Sequence, residues 1–176
     1  MAIIKMNYLN KEKYMDKKER VLKKLDELNI KYELIDHPPV YTIEETESLN
    51  LEEKGHIVKN LFLKNSNGKK HYLVVVKGDK KADLKSIRSQ IQSSALSFAS
   101  EERLEKYLGL LKGAVTPLGI INDDNHCVNV LIDEDLKNQS IIGVHPNVNT
   151  STVFISYNDM IKFINIFGNE ILYVNI

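Results

Sequence analysis

Lys59 is the residue of this sequence whose surroundings best suit it to chemistry. It lies in an apolar run at residues 57–64, where the residues two and four positions away are Ile57, Leu61 and Leu63. Side chains alternate between the two faces of a strand, so Lys59 shares an apolar face with them. Lysine is rarely buried without a partner. Lys59 therefore either reaches solvent at a strand edge or points into a pocket that binds an anion or a carbonyl oxygen.

Two loops are the other candidates for chemistry. Gly113 and Pro117 bound the sequence Gly-Ala-Val-Thr-Pro, in which glycine permits close backbone approach and proline stiffens the chain. Such a loop can present backbone groups to a ligand or simply connect two elements. His145-Pro146-Asn147 begins a polar stretch between two apolar segments. Loops at strand ends commonly carry binding residues, although a plain turn explains the proline and asparagine equally well.

Metal and nucleotide motifs are missing from the sequence. The five histidines show no HxxxH spacing, and Cys127 is the single cysteine, so neither a zinc site nor an intrachain disulfide is predicted. Cys127 is expected in an apolar strand, as a small buried thiol. No GxSxG, Walker or GxGxxG pattern occurs. We therefore expect no metal and no cofactor.

The composition is typical of one globular domain. The chain has 176 residues, of which 43% are hydrophobic and 27% charged, enough for a core without disulfides or metal. Its net charge is zero, which indicates weak affinity for nucleic acid in isolation. The absence of a long apolar run and the single cysteine favour a cytoplasmic protein without membrane association. Residues 1–15 read as an N-terminal extension, and 16–176 as a single domain.

Periodicity and turn residues predict the elements that must position these groups. Helices are expected near 16–29, 42–49, 83–90, 100–108 and 158–167. Strands are expected near 32–35, 57–64, 70–77, 127–132, 140–144, 152–156 and 171–176. The second and third strands form a hairpin through the turn at residues 65–68. This order predicts an α+β fold, a mixed β-sheet surrounded by helices.

Six segments, in their order and spacing, resemble one known family. They are His37-Pro-Pro-Val-Tyr-Thr42, Val58-Lys-Asn-Leu-Phe-Leu-Lys64, Leu96-Ser-Phe98, Gly113-Ala-Val-Thr-Pro117, Ile121-Asn-Asp123 and His145-Pro-Asn-Val-Asn-Thr150. The chain resembles the free-standing prolyl-tRNA editing proteins of the YbaK/ProX type over roughly residues 16–176. The branch that deacylates alanyl-tRNA(Pro) is the most similar, and the family fold is a mixed sheet with surrounding helices.

The resemblance implies roles for individual residues. Lys59, Gly113 and His145 match catalytic positions of the family. Its lysine is essential for deacylation, its GxxxP loop lies against the terminal adenosine and the ester, and its histidine shapes the amino-acid pocket. The residues with implied substrate-binding roles are Asn60, Ser97, Phe98, Ala114, Val115, Thr116, Pro117, Asn149 and Thr150.

The function implied by the resemblance is trans-editing. We expect a hydrolase that cleaves the aminoacyl ester at the 3′ end of mischarged Ala-tRNA(Pro). Its expected partners are the acceptor end of tRNA(Pro) carrying alanine and prolyl-tRNA synthetase. Two alternatives stay open: a deacylase for Cys, Ser or Thr, and a non-catalytic module that binds tRNA or a synthetase.

Overall fold

The computed structural model describes residues 16–42, 45 and 48–176. Its strands are β1 Glu33–Asp36, β2 His56–Asn65, β3 His71–Lys77, β4 Leu96–Phe98, β5 Val128–Asp133, β6 Ile141–Val144, β7 Ser151–Ser156 and β8 Ile171–Val174. Its helices are α1 at residues 16–27, α2 Leu84–Gln90, α3 Glu101–Leu108 and α4 Tyr157–Phe167. Short 3-10 helices cover Leu51–Glu53, Pro117–Asn122 and Glu134–Asn138. None of the helices in these ranges is long and apolar enough to cross a bilayer.

All eight strands of the described residues belong to one mixed sheet. Its order is β1-β7-β6-β2-β3-β5-β8, and β4 pairs with β2 beside that path. Strand β2 is antiparallel to β3 and β4 but parallel to β6, while β5 is parallel to both β3 and β8. The predicted hairpin is confirmed, since Lys64 pairs with His71 and Gly68 takes a φ of 66° in the turn. The α+β prediction is likewise confirmed.

Strand β3 shows why the sheet is covered on both sides. It is buried from His71 to Val76, as expected for a central strand with packing on each face. Leu73 and Val75 belong to the larger apolar cluster, while Val74 and Val76 belong to the smaller one. Alternate residues of one strand thus face two separate cores.

Side-chain caps begin three of the helices. Asp83, Ser100 and Ser156 each accept a backbone N–H in the first turn of the helix that follows, as N-caps do. Gly109 and Gly168 end α3 and α4 in the left-handed region, which glycine enters without a Cβ penalty. The predicted helices at 83–90, 100–108 and 158–167 are therefore confirmed.

The expectation for Cys127 is wrong, because this residue is exposed and precedes β5. The Asp123 carboxylate accepts the N–H groups of Cys127 and Val128, so a polar turn holds the cysteine outside the strand. The extension at 1–15 lies outside the described residues, as do four positions of the predicted helix at 42–49. At its start, the Thr42 hydroxyl accepts the Glu45 N–H and the Glu45 carboxylate accepts the Thr42 N–H, as in a capping box.

Candidate active site

The candidate site lies along an open stretch of one edge of β2. On this edge β6 pairs only with His56 and Ile57, and β4 pairs only with Leu63 to Asn65. Between them, residues 58–61 pair with neither strand within the described part of the chain, and the Phe62 carbonyl oxygen accepts the N–H of Ala99, which directly follows β4. A cavity of about 490 Å³ borders this stretch, within the size range of small-molecule sites. Strands β6 and β4 thus leave the middle of this edge of β2 unpaired, and we call this unpaired stretch the window.

Lys59 places a cationic group at this window. Its side chain is half-buried, and its ammonium donates to the carbonyl oxygen of Lys80 over 3.1 Å. An ammonium carries three N–H donors, and this contact uses one. The Lys59 side chain lines the cavity. Its remaining N–H donors are therefore available to an oxygen atom of a ligand.

A buried ion pair fixes the loop that holds Lys59. The Lys80 ammonium lies 2.9 Å from the Asp133 carboxylate and 2.7 Å from that of Asp135. Asp133 is 0% exposed and also accepts the backbone N–H groups of Lys77 and Asp135. Because a buried carboxylate requires such partners, the position of the Lys80 carbonyl is closely determined.

The Gly113 loop approaches the cavity from another side. Gly113 has a φ of +85°, and a Cβ there would lie 2.9 Å from Cδ1 of Tyr41 and 3.3 Å from Nδ2 of Asn149. Glycine is needed for both the backbone conformation and the close approach. Buried Thr116 donates its hydroxyl to the carbonyl oxygen of His145 over 2.7 Å, so the loop and the histidine segment are joined.

His145 presents a defined tautomer to the cavity. Its Nδ1 lies 2.9 Å from the carbonyl oxygen of Ser151, and a carbonyl can only accept, so Nδ1 carries the proton. Burial lowers the pKa of His145, which favours the neutral ring at pH 7. A neutral imidazole with an unprotonated Nε2 is compatible with an apolar pocket wall.

Asn60 has an unsatisfied oxygen beside the cavity. Its Oδ1 is buried and has no hydrogen-bond partner within the described residues, and the residue lines the cavity. A buried acceptor without a partner is unfavourable by about 1–3 kcal/mol. A ligand that donates to this oxygen would remove that penalty, so the atom is a candidate contact for a substrate N–H or O–H group.

The structure brings together only part of the predicted site. The predicted residues that line the cavity are Lys59, Asn60, Phe98, Gly113, Val115 and His145. Ala114, Thr116 and Pro117 are buried and do not line the cavity, and Ser97 is exposed on β4. Asn149 donates to the Val40 carbonyl oxygen, and the Thr150 carbonyl accepts the His37 N–H. These last two residues hold the segment at 37–40 against the site.

Several lining residues were not assigned from the sequence. They include Tyr41, Thr42, Lys112, Gly143 and Thr152. Gly143 could have been identified from the sequence, since an isolated glycine in an apolar strand indicates that another group approaches the backbone closely. A Cβ at Gly143 would lie 2.5 Å from the Ile57 side chain. The others carried no signal that separates them from ordinary loop residues.

The electrostatics of the cavity suit an oxyanion rather than a cation. Lys59 and Lys112 line it, and no carboxylate does so within the described residues. No three His, Cys, Asp or Glu side chains of that part of the chain are grouped to hold a metal ion. The arrangement offers a cation, backbone groups of a glycine loop and a neutral histidine, which together can bind and polarise an ester.

Comparisons with known proteins agree with this chemistry. The family model for the aminoacyl-tRNA editing domain matches residues 37–163. The prolyl-tRNA editing protein ProX of Acetoanaerobium sticklandii is 52% identical over 155 residues, which cover 88% of this chain and 94% of that protein. The prolyl-tRNA synthetase associated domain-containing protein 1 of Mus musculus is 32% identical over 86% of this chain and 92% of its own length.

A solved structure has the same fold. It is described as a proposed trans-editing enzyme for prolyl tRNA synthetase and matches with a TM-score of 0.69, at 20% identity. The match covers 91% of this chain and 97% of the other. At this identity the likeness establishes the fold alone.

Proposed function

This chain belongs to the aminoacyl-tRNA editing domain family, and from that premise we propose that it is a trans-editing hydrolase that deacylates mischarged Ala-tRNA(Pro). The observation that carries the assignment is the 52% identity to a prolyl-tRNA editing protein over 88% of the chain. The cavity supports it, because Lys59, Gly113 and His145 all line one space.

The reaction is hydrolysis of an ester. Water attacks the ester carbonyl, the carbon–oxygen bond to the ribose of the terminal adenosine breaks, and the ribose oxygen takes up a proton. In this proposal the Lys59 ammonium stabilises the oxygen that becomes negative in the transition state. Its hydrogen bond to the Lys80 carbonyl oxygen keeps it in position. An ester is already an activated bond, so one well-placed cation supplies a large part of the stabilisation required.

The general base in this proposal is the substrate itself. No carboxylate lines the cavity within the described residues, and burial lowers the pKa of His145, which makes its unprotonated Nε2 a weaker base. The resemblance to the editing family implies that the free hydroxyl of the terminal ribose helps to activate the water. His145 then acts as a wall of the amino-acid pocket and Gly113 as the support of the ester.

Selectivity for alanine follows from size. A synthetase active site discriminates against a smaller side chain by only about 1–3 kcal/mol, so a second site that admits alanine and excludes proline corrects the error. Apolar side chains of Ile57, Leu61, Val115 and Val144 line the cavity and suit a methyl group. Gly143 has no room for a Cβ against Ile57, which keeps this wall closely packed.

The proposed partners are the acceptor end of tRNA(Pro) and prolyl-tRNA synthetase, in the cytoplasm where tRNA is charged. The net charge of zero favours weak stand-alone binding of tRNA. A complex with the synthetase would raise the local concentration of mischarged tRNA.

A panel of aminoacyl-tRNA(Pro) substrates tests the proposal. The purified chain is incubated with Ala-, Pro-, Cys-, Ser- and Thr-tRNA(Pro), and release of the amino acid is compared with spontaneous hydrolysis. We expect Ala-tRNA(Pro) to be hydrolysed fastest and Pro-tRNA(Pro) to persist. Preference for Cys, Ser or Thr would support the alternative deacylase. Binding without turnover of any substrate would support the non-catalytic module.

A further inference from the structure

Two exposed aromatic rings border the mouth of the cavity. Tyr41 and Phe98 are 66% and 63% exposed, the highest values among the exposed large hydrophobic residues of the described chain. Both also line the cavity, although they come from distant segments. Large apolar rings left in solvent beside a binding site are typical of a surface that is covered when a ligand binds.

Backbone hydrogen bonds and strand pairing fix the positions from which both rings extend. Tyr41 donates its N–H to the Glu45 carboxylate over 2.6 Å, and its ring lies against Gly113, where a Cβ would meet Cδ1 at 2.9 Å. Phe98 lies on β4, paired with Leu63 of β2. Rings presented by ordered backbone need little further ordering to bind a flat ligand.

A cationic side chain accompanies the rings. Lys112 lines the same cavity, and its side chain is 79% exposed, 3.7 Å from the equally accessible Glu101 carboxylate. An exposed pair at this distance is weak, so Lys112 can exchange it for a phosphate. Aromatic faces combined with a nearby cation are the usual means of binding single-stranded nucleic acid without sequence readout.

We propose that Tyr41 and Phe98 are a stacking platform for the unpaired nucleotides that precede the terminal adenosine of the tRNA substrate, with Lys112 beside their phosphates. This inference rests on the proposed function, because the ester end must occupy the cavity for these nucleotides to reach the rim. Every tRNA ends in an unpaired cytidine-cytidine-adenosine, so the platform reads the single-stranded character of the end. It also explains how a chain of zero net charge can hold RNA by stacking rather than by charge alone.

Substrates of increasing length test the platform. The kcat/KM of deacylation is measured for alanyl-adenosine, for the alanylated cytidine-cytidine-adenosine trinucleotide and for alanyl-tRNA(Pro). Leucine variants Y41L and F98L remove the ring face, whereas Y41F and F98Y retain it. Y173L is the matched control, because Tyr173 is an exposed aromatic on β8 that does not line the cavity.

We expect the leucine variants to lose on the order of tenfold more kcat/KM on the trinucleotide and the tRNA than on alanyl-adenosine. Y173L should track the wild type on all three substrates, whereas Y41F and F98Y, which keep the ring face, should lose much less than the leucine variants on the two longer substrates. Equal losses on all substrates would assign the rings to the ester-bearing nucleoside and overturn the platform. Unchanged kinetics on every RNA, with loss of a complex with prolyl-tRNA synthetase, would assign them to a protein partner and also overturn it.

Failure of the proposed function gives a different result. If the wild type hydrolyses no alanyl ester, the uncharged trinucleotide with a fluorescent label serves as the probe. The platform then predicts binding that Y41L and F98L weaken on the order of tenfold and that Y173L leaves unchanged. Equal binding by all variants would overturn it independently of catalysis.

Discussion

Replacing Lys80 by methionine tests how firmly Lys59 is held at the candidate site. The substitution keeps the aliphatic stem but removes the ammonium that lies 2.9 Å from Asp133 and 2.7 Å from Asp135. Asp133 is 0% exposed and, among the described residues, keeps only two backbone N–H donors. Its charge would then be buried without a cation.

The expected loss in the free energy of unfolding follows from burial. Removing one partner of a buried pair is destabilising by about 3–5 kcal/mol. The Lys80 side chain is 21% exposed, and solvent screens part of the interaction. We therefore expect about 2–3 kcal/mol for K80M by this reasoning, which corresponds to a Tm lower by about 5–10 °C for a chain of this size.

The other acid of the same pair provides the control. The Asp135 side chain is 58% exposed, so D135N should be destabilising by no more than about 1 kcal/mol. In the double variant K80M/D133N the buried charge is absent, and part of the lost stability should return. Urea unfolding at pH 7 measures all three variants.

The same variants report on the site. Since the Lys80 carbonyl accepts from the Lys59 ammonium, K80M should also slow deacylation at temperatures where the variant is still folded, whereas D135N should not. Equal and small losses of stability in K80M and D135N would show that the buried Asp133 carboxylate does not anchor the loop that contains Lys80.

The remaining predictions concern histidine titration and the glycine loop. His56 and His71 accept N–H hydrogen bonds on Nε2, and burial lowers the pKa of both rings. The unfolded chain therefore takes up protons that the folded chain does not, and stability that is complete above about pH 6.5 is lost as the pH falls through the lowered values. Urea unfolding at pH 7.5 and 5.5 measures this, and a flat profile would contradict it. G113A should reduce kcat/KM for Ala-tRNA(Pro), because the left-handed backbone is unfavourable by about 1–2 kcal/mol for a residue with a Cβ. Gly168 also has a positive φ but lies outside the cavity lining, so G168A should lower Tm alone, and equal kinetic losses in both variants would contradict the assignment.

Local structure could be predicted from the sequence because its signals are local. The caps at Asp83 and Ser100 and the glycine end of α4 at Gly168 lie within a turn of the helices that they bound. The hairpin of β2 and β3 follows from two apolar runs and a short turn. A three-residue strand such as β4 has too few positions for any periodicity to appear.

The window in β2 could not be predicted, because it depends on long-range pairing. Strand β6 begins about 80 residues after β2 and joins it for two residue pairs only, and β4 reaches the same edge from another direction. No local pattern encodes where these partners stop. The cavity beside Lys59 exists because β6 and β4 pair with the two ends of this edge of β2 and leave its middle unpaired. Residue spacing alone did not locate it.

Individual site residues likewise divide into those with a local sequence signal and those that reach the cavity only through the fold. Lys59 was an anomaly on an apolar strand face, and the structure places it at the cavity with a carbonyl partner. Tyr41 and Lys112 have ordinary loop surroundings in the sequence and reach the cavity through the fold. The expectation for Cys127 was wrong because Asp123 forms a polar turn before the strand begins. The catalytic roles of Lys59, Gly113 and His145 stay predictions.

Deacylation of Ala-tRNA(Pro) by the wild type, K59A and K64A most directly tests whether Lys59 takes part in the reaction. Lys64 belongs to the same strand but does not line the cavity, so K64A controls for the loss of a lysine from β2. Tm values establish that each variant is folded. We expect K59A to lose at least about 100-fold in kcat, the scale of removing one oxyanion donor, and K64A to stay close to the wild type. Full activity in folded K59A would contradict the assignment of Lys59 to the reaction.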